Sequence, residues 1–343
     1  MYSLKNDYSE GAHPKILEAL VKTNLEQDAG YGEDKYCKEA IKLIKEKLQN
    51  DNVDIHFIPG GTQTNLISIA AFLKSHEACI AATTGHIFAN ETGAIEATGH
   101  KVIAVDTEDG KLRKENILSV LKSYTNEHVV KPKLVYISNS TEIGTIYKKE
   151  ELQELKEVCM ENKLLLYMDG ARLGSALACE ENDLKLCDFV ELTDAFYIGG
   201  TKNGALIGEV LVICNDFLKE DFRYHLKQRG ALLAKGRLLG IQFTELFRDN
   251  LFFEIGKHEN DMGDILRDGI NELGYKFLVN SPSNQIFPIM PNTVIDKLKE
   301  KYSFIVWSSE DEENSSIRLV TSWATKEEVV TGFVETLKNI TGK

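Results

Sequence analysis

At 343 residues the chain is long enough for one large hydrophobic core and a smaller second one. Its 40 Lys and Arg against 53 Asp and Glu leave a net charge of −13, which argues against a nucleic acid or an anionic membrane surface as partner, since both need clustered cations. Hydrophobic residues at 43% and charged residues at 27% are ordinary for a globular protein, and no run approaches the roughly 20 apolar residues of a membrane span.

The N-terminus, Met-Tyr-Ser-Leu-Lys-Asn-Asp, lacks the apolar stretch of a signal peptide, so a cytoplasmic location is expected. Short β-branched runs then alternate with amphipathic segments. The pattern predicts strands over residues 53–58, 78–83, 101–105, 133–138, 164–168, 195–198 and 209–214. Helices are predicted over 63–74, near 86–99, and over 150–161. Such alternation predicts an α/β fold, with a mainly parallel sheet covered on both faces.

Beyond about residue 245 the order changes to α+β. A helix is expected over 259–273, strands over 275–279, 285–289 and 304–307, and a helix over 293–302. A further strand over 317–321 precedes a closing helix over 326–340, with Thr325 as its N-cap. The expected organisation is a large domain over 1–245, including an N-terminal arm, and a small C-terminal domain over 246–343. The six cysteines, Cys37, Cys79, Cys159, Cys179, Cys187 and Cys214, include no C-x-x-C pair and read as reduced thiols. No cysteine–histidine set has zinc spacing, so no metal is expected.

Five segments carry candidate chemistry. In Gly199-Gly200-Thr201-Lys202-Asn203-Gly204, a lysine sits among small residues after an apolar strand. A lysine that attacks an aldehyde must be neutral, hence confined; a surface-turn lysine reads the same way when taken alone. In residues 164–172, a buried strand ends in Asp169. That edge of an open sheet is where ligands bind, and an Asp there pairs with a pyridinium nitrogen or caps the next helix. Together, Lys202 and Asp169 favour pyridoxal 5′-phosphate (PLP). Pro59-Gly60-Gly61-Thr62, between a strand and a helix, suits a phosphate, although ordinary helix starts look similar. His86, after another strand, suits a ring stack and a proton transfer, or is a solvated helix-start residue. Arg318, inside an apolar strand, needs either a substrate carboxylate or a structural acid.

In this order the five segments resemble the low-specificity threonine aldolases of the PLP-dependent fold type I (aspartate aminotransferase) superfamily. The subgroup most similar is bacterial. It carries Tyr31-Gly32-Glu33-Asp34, Gly60-Gly61-Thr62, the His86/Glu91/Gly93 set, Met168-Asp169-Gly170-Ala171-Arg172-Leu173 and Gly200-Thr201-Lys202-Asn203-Gly204. The resemblance runs from Asn6-Asp7 to Arg318. It implies a PLP-dependent transferase-like large domain with Lys202 as the Schiff-base lysine, Asp169 on the pyridine nitrogen and His86 over the ring. Gly61 and Thr62 would hold the phosphate. Arg172 would lie near the phenolic oxygen and the substrate carboxylate, and Arg318 would grip that carboxylate. It also implies a homo-oligomer, usually a dimer of dimers, in which Lys227 and Lys235 reach a neighbour's phosphate.

Three departures stand out. Asn6-Asp7-Tyr8 replaces the Ser-Asp-Thr start of many members, whose serine helps to hold the carboxylate, so either Asn6 does that or nothing does. Thr201-Lys202-Asn203 replaces Ser-Lys-Gly, and the segment after Lys227 lacks a Gly-Gly-Gly-Met-Arg run. The implied activity is retro-aldol cleavage of L-threonine, L-allo-threonine or a related β-hydroxy-α-amino acid, with Lys202, His86 and Asp169 as the catalytic set. β-Elimination, racemisation and transamination use the same lysine and aspartate. A PLP-free binding protein on the same scaffold is the alternative outside enzymes.

Overall fold

The computed structural model describes residues 1–342. A short β1 (Tyr2–Ser3) precedes the central sheet. The sheet's strands are β2 (Asp54–Ile58), β3 (Glu77–Ala82), β4 (Val102–Val105), β5 (Lys131–Ser138), β6 (Leu165–Asp169), β7 (Ala195–Gly199) and β8 (Glu209–Ile213). They lie in the order β2-β8-β7-β6-β5-β3-β4. Strand β8 is antiparallel to both its neighbours, and the pairs from β7 to β4 are all parallel.

Strands β3, β6, β7 and β8 are buried along their whole length, as a sheet covered on both faces requires. Successive residues feed opposite faces. Val135, Ile137, Leu166 and Met168 join one apolar cluster, and Leu134, Tyr136, Leu165 and Tyr167 join the other. All six cysteines are free thiols, four of them buried. No helix among the described residues is long and apolar enough to cross a membrane.

The C-terminal part opens with the 22-residue helix Leu251–Glu272 and contains β9 (Gln285–Ile286), β10 (Ile289–Pro291), β11 (Tyr302–Ser303), β12 (Ile305–Ser309) and β13 (Asn314–Val320). Strands β10, β13 and β12 form an antiparallel sheet, with β9 also on β13. Strand β1 pairs in parallel with β11, and Leu4 is buried in the C-terminal cluster beside Ile317 and Leu319. The start of the chain is thereby anchored on the C-terminal layer, and Asp7 reaches the end of β6.

Several elements differ from the sequence reading. The helix expected near 86–99 stops after one turn at His86–Ala89 and resumes only as a 3-10 turn at Glu96–Thr98, because Thr92 and Gly93 both take positive φ. Residues 275–279 form no strand. They touch their neighbour through the single bridge Phe277–Pro288, flanked by bonds from Leu278 N–H to the Phe287 carbonyl and from Ile289 N–H to the Lys276 carbonyl. The strand expected at 285–289 is split into β9 and β10, because Pro288 has no N–H to continue the ladder. The helix expected over 293–302 is Asn292–Leu298, since Tyr302 and Ser303 are drawn into pairing with β1. The closing helix is Glu327–Thr341 with Lys326 at the N-cap. The Thr325 hydroxyl instead accepts a hydrogen bond from Ser322 N–H.

Candidate active site

A cleft of about 340 Å³ lies along the carboxyl edge of the sheet. The ends of β2, β3, β5, β6 and β7 open onto it through Gly60–Thr62, His86, Ser138 to Glu142, Asp169 to Arg172, and Thr201 to Lys202. Strand β8 runs the other way and so contributes its first residue, Glu209.

Asp169 ends β6 and is almost fully buried. Its Oδ2 accepts from the Tyr136 hydroxyl at 2.7 Å and from Asn65 Nδ2 at 3.0 Å, and its Oδ1 accepts from Ala171 N–H at 2.9 Å. Burial by itself would raise its pKa. The charge of His86, with the Tyr197 and Tyr136 hydroxyls and the Asn65 amide, outweighs burial and holds the carboxyl below its usual range. The group is therefore a fixed anion, which is what a ring N–H⁺ requires of its partner.

Lys202 leaves the end of β7 on a turn closed by hydrogen bonds from Gly200 N–H and Thr201 N–H to the Gly208 carbonyl, both 3.1 Å. Burial and then the positive charge of Arg172 pull its pKa down, against the opposing carboxylates of Asp7, Asp169 and Glu209. An amine so placed is neutral more often than a solvated lysine, and so better able to attack an aldehyde.

His86 opens the short helix after β3. Its Nδ1 is 2.8 Å from Glu91 Oε1, which also accepts from Asn65 Nδ2 at 2.8 Å. Burial works against a charge on the imidazole, but the Glu91 bond and the Asp169 charge raise its pKa overall. The backbone N–H of His86 donates to Glu142 Oε1, 2.9 Å away, and Ser138 Oγ donates to the same oxygen at 2.7 Å. Gly61 starts the helix Gly61–Phe72, whose N-cap Gly60 has no side chain to satisfy the first N–H groups. Those donors line the cleft with Thr62 and form an anion cradle at the positive end of the helix.

Arg172 directs Nε and Nη2 to Asp7 at 2.6 and 3.1 Å, and Asp7 accepts a third bond from Asn284 Nδ2 at 3.0 Å. Arg318, on β13, gives Nη2 to Gln285 Oε1 at 2.8 Å and lies 5.6 Å from the centre of the Trp307 ring. Its buried Nε has no partner. Burial and the nearby Arg172 lower its pKa to about 10, a site that favours an added anion.

The cleft thus brings together Lys202, Asp169, His86, Gly61, Thr62 and Arg172. Arg318 does not line the cleft but lies within the field of Arg172. Asn6 does not line the cleft: its Oδ1 accepts from Tyr8 N–H and Ser9 Oγ, both 3.0 Å, and Tyr8 is in the lining. Lys227 and Lys235 are exposed outside it, Lys227 lying 4.4 Å above the Tyr31 ring. Sequence reasoning assigned no role to Asn65, Tyr136, Tyr197, Glu142 or Glu209. One signal was available: Tyr136, Tyr197 and Glu209 are polar groups inside apolar strands, and buried hydroxyls and carboxylates must find partners.

Comparison with known proteins places the chain. Residues 4–290 match the family described as beta-eliminating lyase. The low specificity L-threonine aldolase of Pseudomonas sp. (strain NCIMB 10558) is 29% identical over 334 residues, covering 94% of this chain and 93% of that protein. A Leishmania major threonine aldolase structure superposes with a TM-score of 0.98 at 51% identity over 99% of each chain. Aspartate aminotransferase from Thermus thermophilus, at 16% identity and a TM-score of 0.72 over 99% of this chain and 91% of that one, shares the fold. The chain therefore belongs to the beta-eliminating lyase family, on its threonine aldolase branch.

Proposed function

We propose that this protein is a PLP-dependent aldehyde-lyase that cleaves L-threonine, L-allo-threonine or a related β-hydroxy-α-amino acid to glycine and an aldehyde. The observation that carries the reading is one cleft with three separate complements to PLP. These are an amine with a lowered pKa at Lys202, a fixed carboxylate at Asp169, and an uncapped helix N-terminus at Gly61 and Thr62. Relatives named threonine aldolase at 29% and 51% identity support it.

When bound, PLP supplies an electron sink for the pair released as the Cα–Cβ bond breaks. The chain's own groups do the rest. Lys202 would provide the neutral amine that holds the cofactor through its aldehyde carbon. Asp169 keeps the ring nitrogen protonated. The cradle at Gly61 and Thr62 would take the phosphate, and the His86 ring would lie against the cofactor. Arg318 has an unpartnered Nε, and Arg172 has Nη1 left after pairing with Asp7, so these donors hold the substrate carboxylate. His86, anchored by Glu91, or a water that His86 orients, takes the proton of the β-hydroxyl.

The proposal includes a homo-oligomer in which Lys227 and Lys235 serve a neighbour's phosphate, a cytoplasmic location, and a large domain over 1–245 with a small one over 246–343. β-Elimination is the second reading, and the family's description favours it among the alternatives. Product analysis separates the two. From L-threonine, glycine and acetaldehyde are expected, together with a visible absorption band that Lys202→Ala abolishes. Formation of 2-oxobutyrate without glycine would overturn the aldolase reading.

A further inference from the structure

We propose that Glu209 is a positioning residue whose carboxyl, tied to the lysine turn, helps to hold the proton on the Lys202 amine. The inference rests on reading Lys202 as the amine that holds the cofactor.

Parallel β5 and β6 present their last residues, Ser138 and Asp169, at the cleft, but antiparallel β8 presents its first. Glu209 therefore sits in register opposite Gly199 on one side and Ile58 on the other. Those are the points where the lysine turn leaves β7 and the glycine loop leaves β2. Its Oε2 accepts from Gly200 N–H at 2.8 Å, two residues before the lysine. Gly208, the residue before it, closes the same turn through its carbonyl. Glu209 is 4% exposed and lines the cleft together with Lys202. The proposed mechanism leaves this carboxyl without a task, although burying it is costly.

The charged groups that face it are Lys202 and Asp169, and the buried phenols nearby are Tyr167 and Tyr197. Around the adjoining Gly208, the other packed elements present apolar Leu239 and Phe243 and the Ile58 carbonyl. Lys202 in turn faces Arg172, Asp7 and Asp169 as well as Glu209. Burial pushes Glu209 up to about 7, so this carboxyl changes charge near neutrality while Asp7 and Asp169 stay ionised. Ionised, it adds to the hold that Asp7 and Asp169 keep on the Lys202 proton; protonated, it weakens that hold and favours the neutral amine. The coupling is reciprocal.

The test uses the full-length chain with cofactor removed. Lys202 is trace-labelled with acetic anhydride across a pH series, and its peptide is quantified by mass spectrometry. Glu209→Gln keeps an acceptor for Gly200 N–H and removes only the charge. Its Lys202 midpoint is expected to fall by about one pH unit, which gives about tenfold faster labelling at a pH where Glu209 is ionised and that lies below both Lys202 midpoints. Glu209→Asp, which keeps the charge, is expected to stay closer to the unmodified chain. An unchanged midpoint in a folded Glu209→Gln protein overturns the proposal. Should both variants fail to fold, Lys202→Ala gives the reciprocal reading. The protonated-carboxyl infrared band that titrates near neutrality should then persist to higher pH, and no change overturns the proposal. Labelling requires no cofactor, so a failure of the PLP reading is seen separately, as no visible band when PLP is added.

Discussion

Asp7 shows how much of the site depends on single residues outside the chemistry. Its side chain is fully buried, and it holds the nearly buried Arg172 through two hydrogen bonds. The N-terminal arm is thereby joined to the end of β6. Burial opposes its charge, but Arg172 and Lys202 more than compensate and hold the carboxyl below its usual value. Removing one partner of such a pair strands the other, so Asp7→Ala should cost about 3 kcal/mol of stability at pH 7. A depressed carboxyl contributes stability above its unfolded pKa and loses it as pH falls through the folded value. The gap between the two proteins should therefore narrow below about pH 4. Urea unfolding at pH 7 and pH 3 checks both statements, and an equal gap at the two pH values would contradict the pairing. The proposed site residues Lys202, Asp169, His86, Gly61 and Thr62, which line one cleft, could be singled out in the sequence because each lies at or just beyond the end of an apolar strand. The groups that tune them, such as Asn65 and Glu209, could not, because their partners lie 26 to 104 residues away for Asn65 and across an antiparallel register for Glu209.

Elements were legible where one local signal dominated. The central strands were, because uninterrupted burial leaves uninterrupted apolar runs. Helices Pro14–Thr23, Lys35–Leu48 and Arg237–Arg248 went unassigned in the sequence, although the second had a readable cap. Asp34 accepts from Tyr36 and Cys37 N–H, ahead of a stripe of Cys37, Ala40, Ile44 and Leu48. The split of β9 from β10 was foreshadowed by Pro288, whereas the loss of a strand at 275–279 depended on which neighbour it met. Helix crossings belong to the same class of long-range fact. Leu251–Glu272 approaches Leu173–Ala178 so closely that a Cβ on Gly256 would lie 2.3 Å from the Gly174 carbonyl oxygen. The obstacle is backbone and has no rotamer to yield. Gly256→Val should therefore destabilise the fold by about 2 kcal/mol and shift Arg172, which caps the second helix. Thermal unfolding should show the lower midpoint, and a Tm matching the unmodified chain would mean that the crossing relaxes freely.

At the scale of the whole molecule, the cradle proposed to take the phosphate is the part of the site that a neighbouring chain would complete. Helix donors at Gly61 and Thr62 face the cleft without a lysine in its lining other than Lys202. Lys227 and Lys235 stand exposed elsewhere, and the surface also carries exposed Leu17, Val21, Leu25 and Tyr31, apolar groups that a second copy would cover. In a two-fold dimer, a residue that serves the neighbour's site serves it in both directions. That geometry makes a sharp prediction for mixed subunits. Lys202→Ala protein is expected to be inactive, and a Lys227→Ala/Lys235→Ala chain to bind PLP weakly and turn over slowly. Co-assembled, a mixed dimer has one site with an intact Lys202 and intact neighbouring lysines, and one site with neither. Random pairing then returns about one quarter of the unmodified activity, because half of the dimers are mixed and each has one intact site. Steady-state cleavage of L-threonine by the mixture, compared with the sum of the two separate variants, is the measurement. Activity no greater than that sum would mean that each chain completes its own phosphate site and that Lys227 and Lys235 do not serve the neighbour.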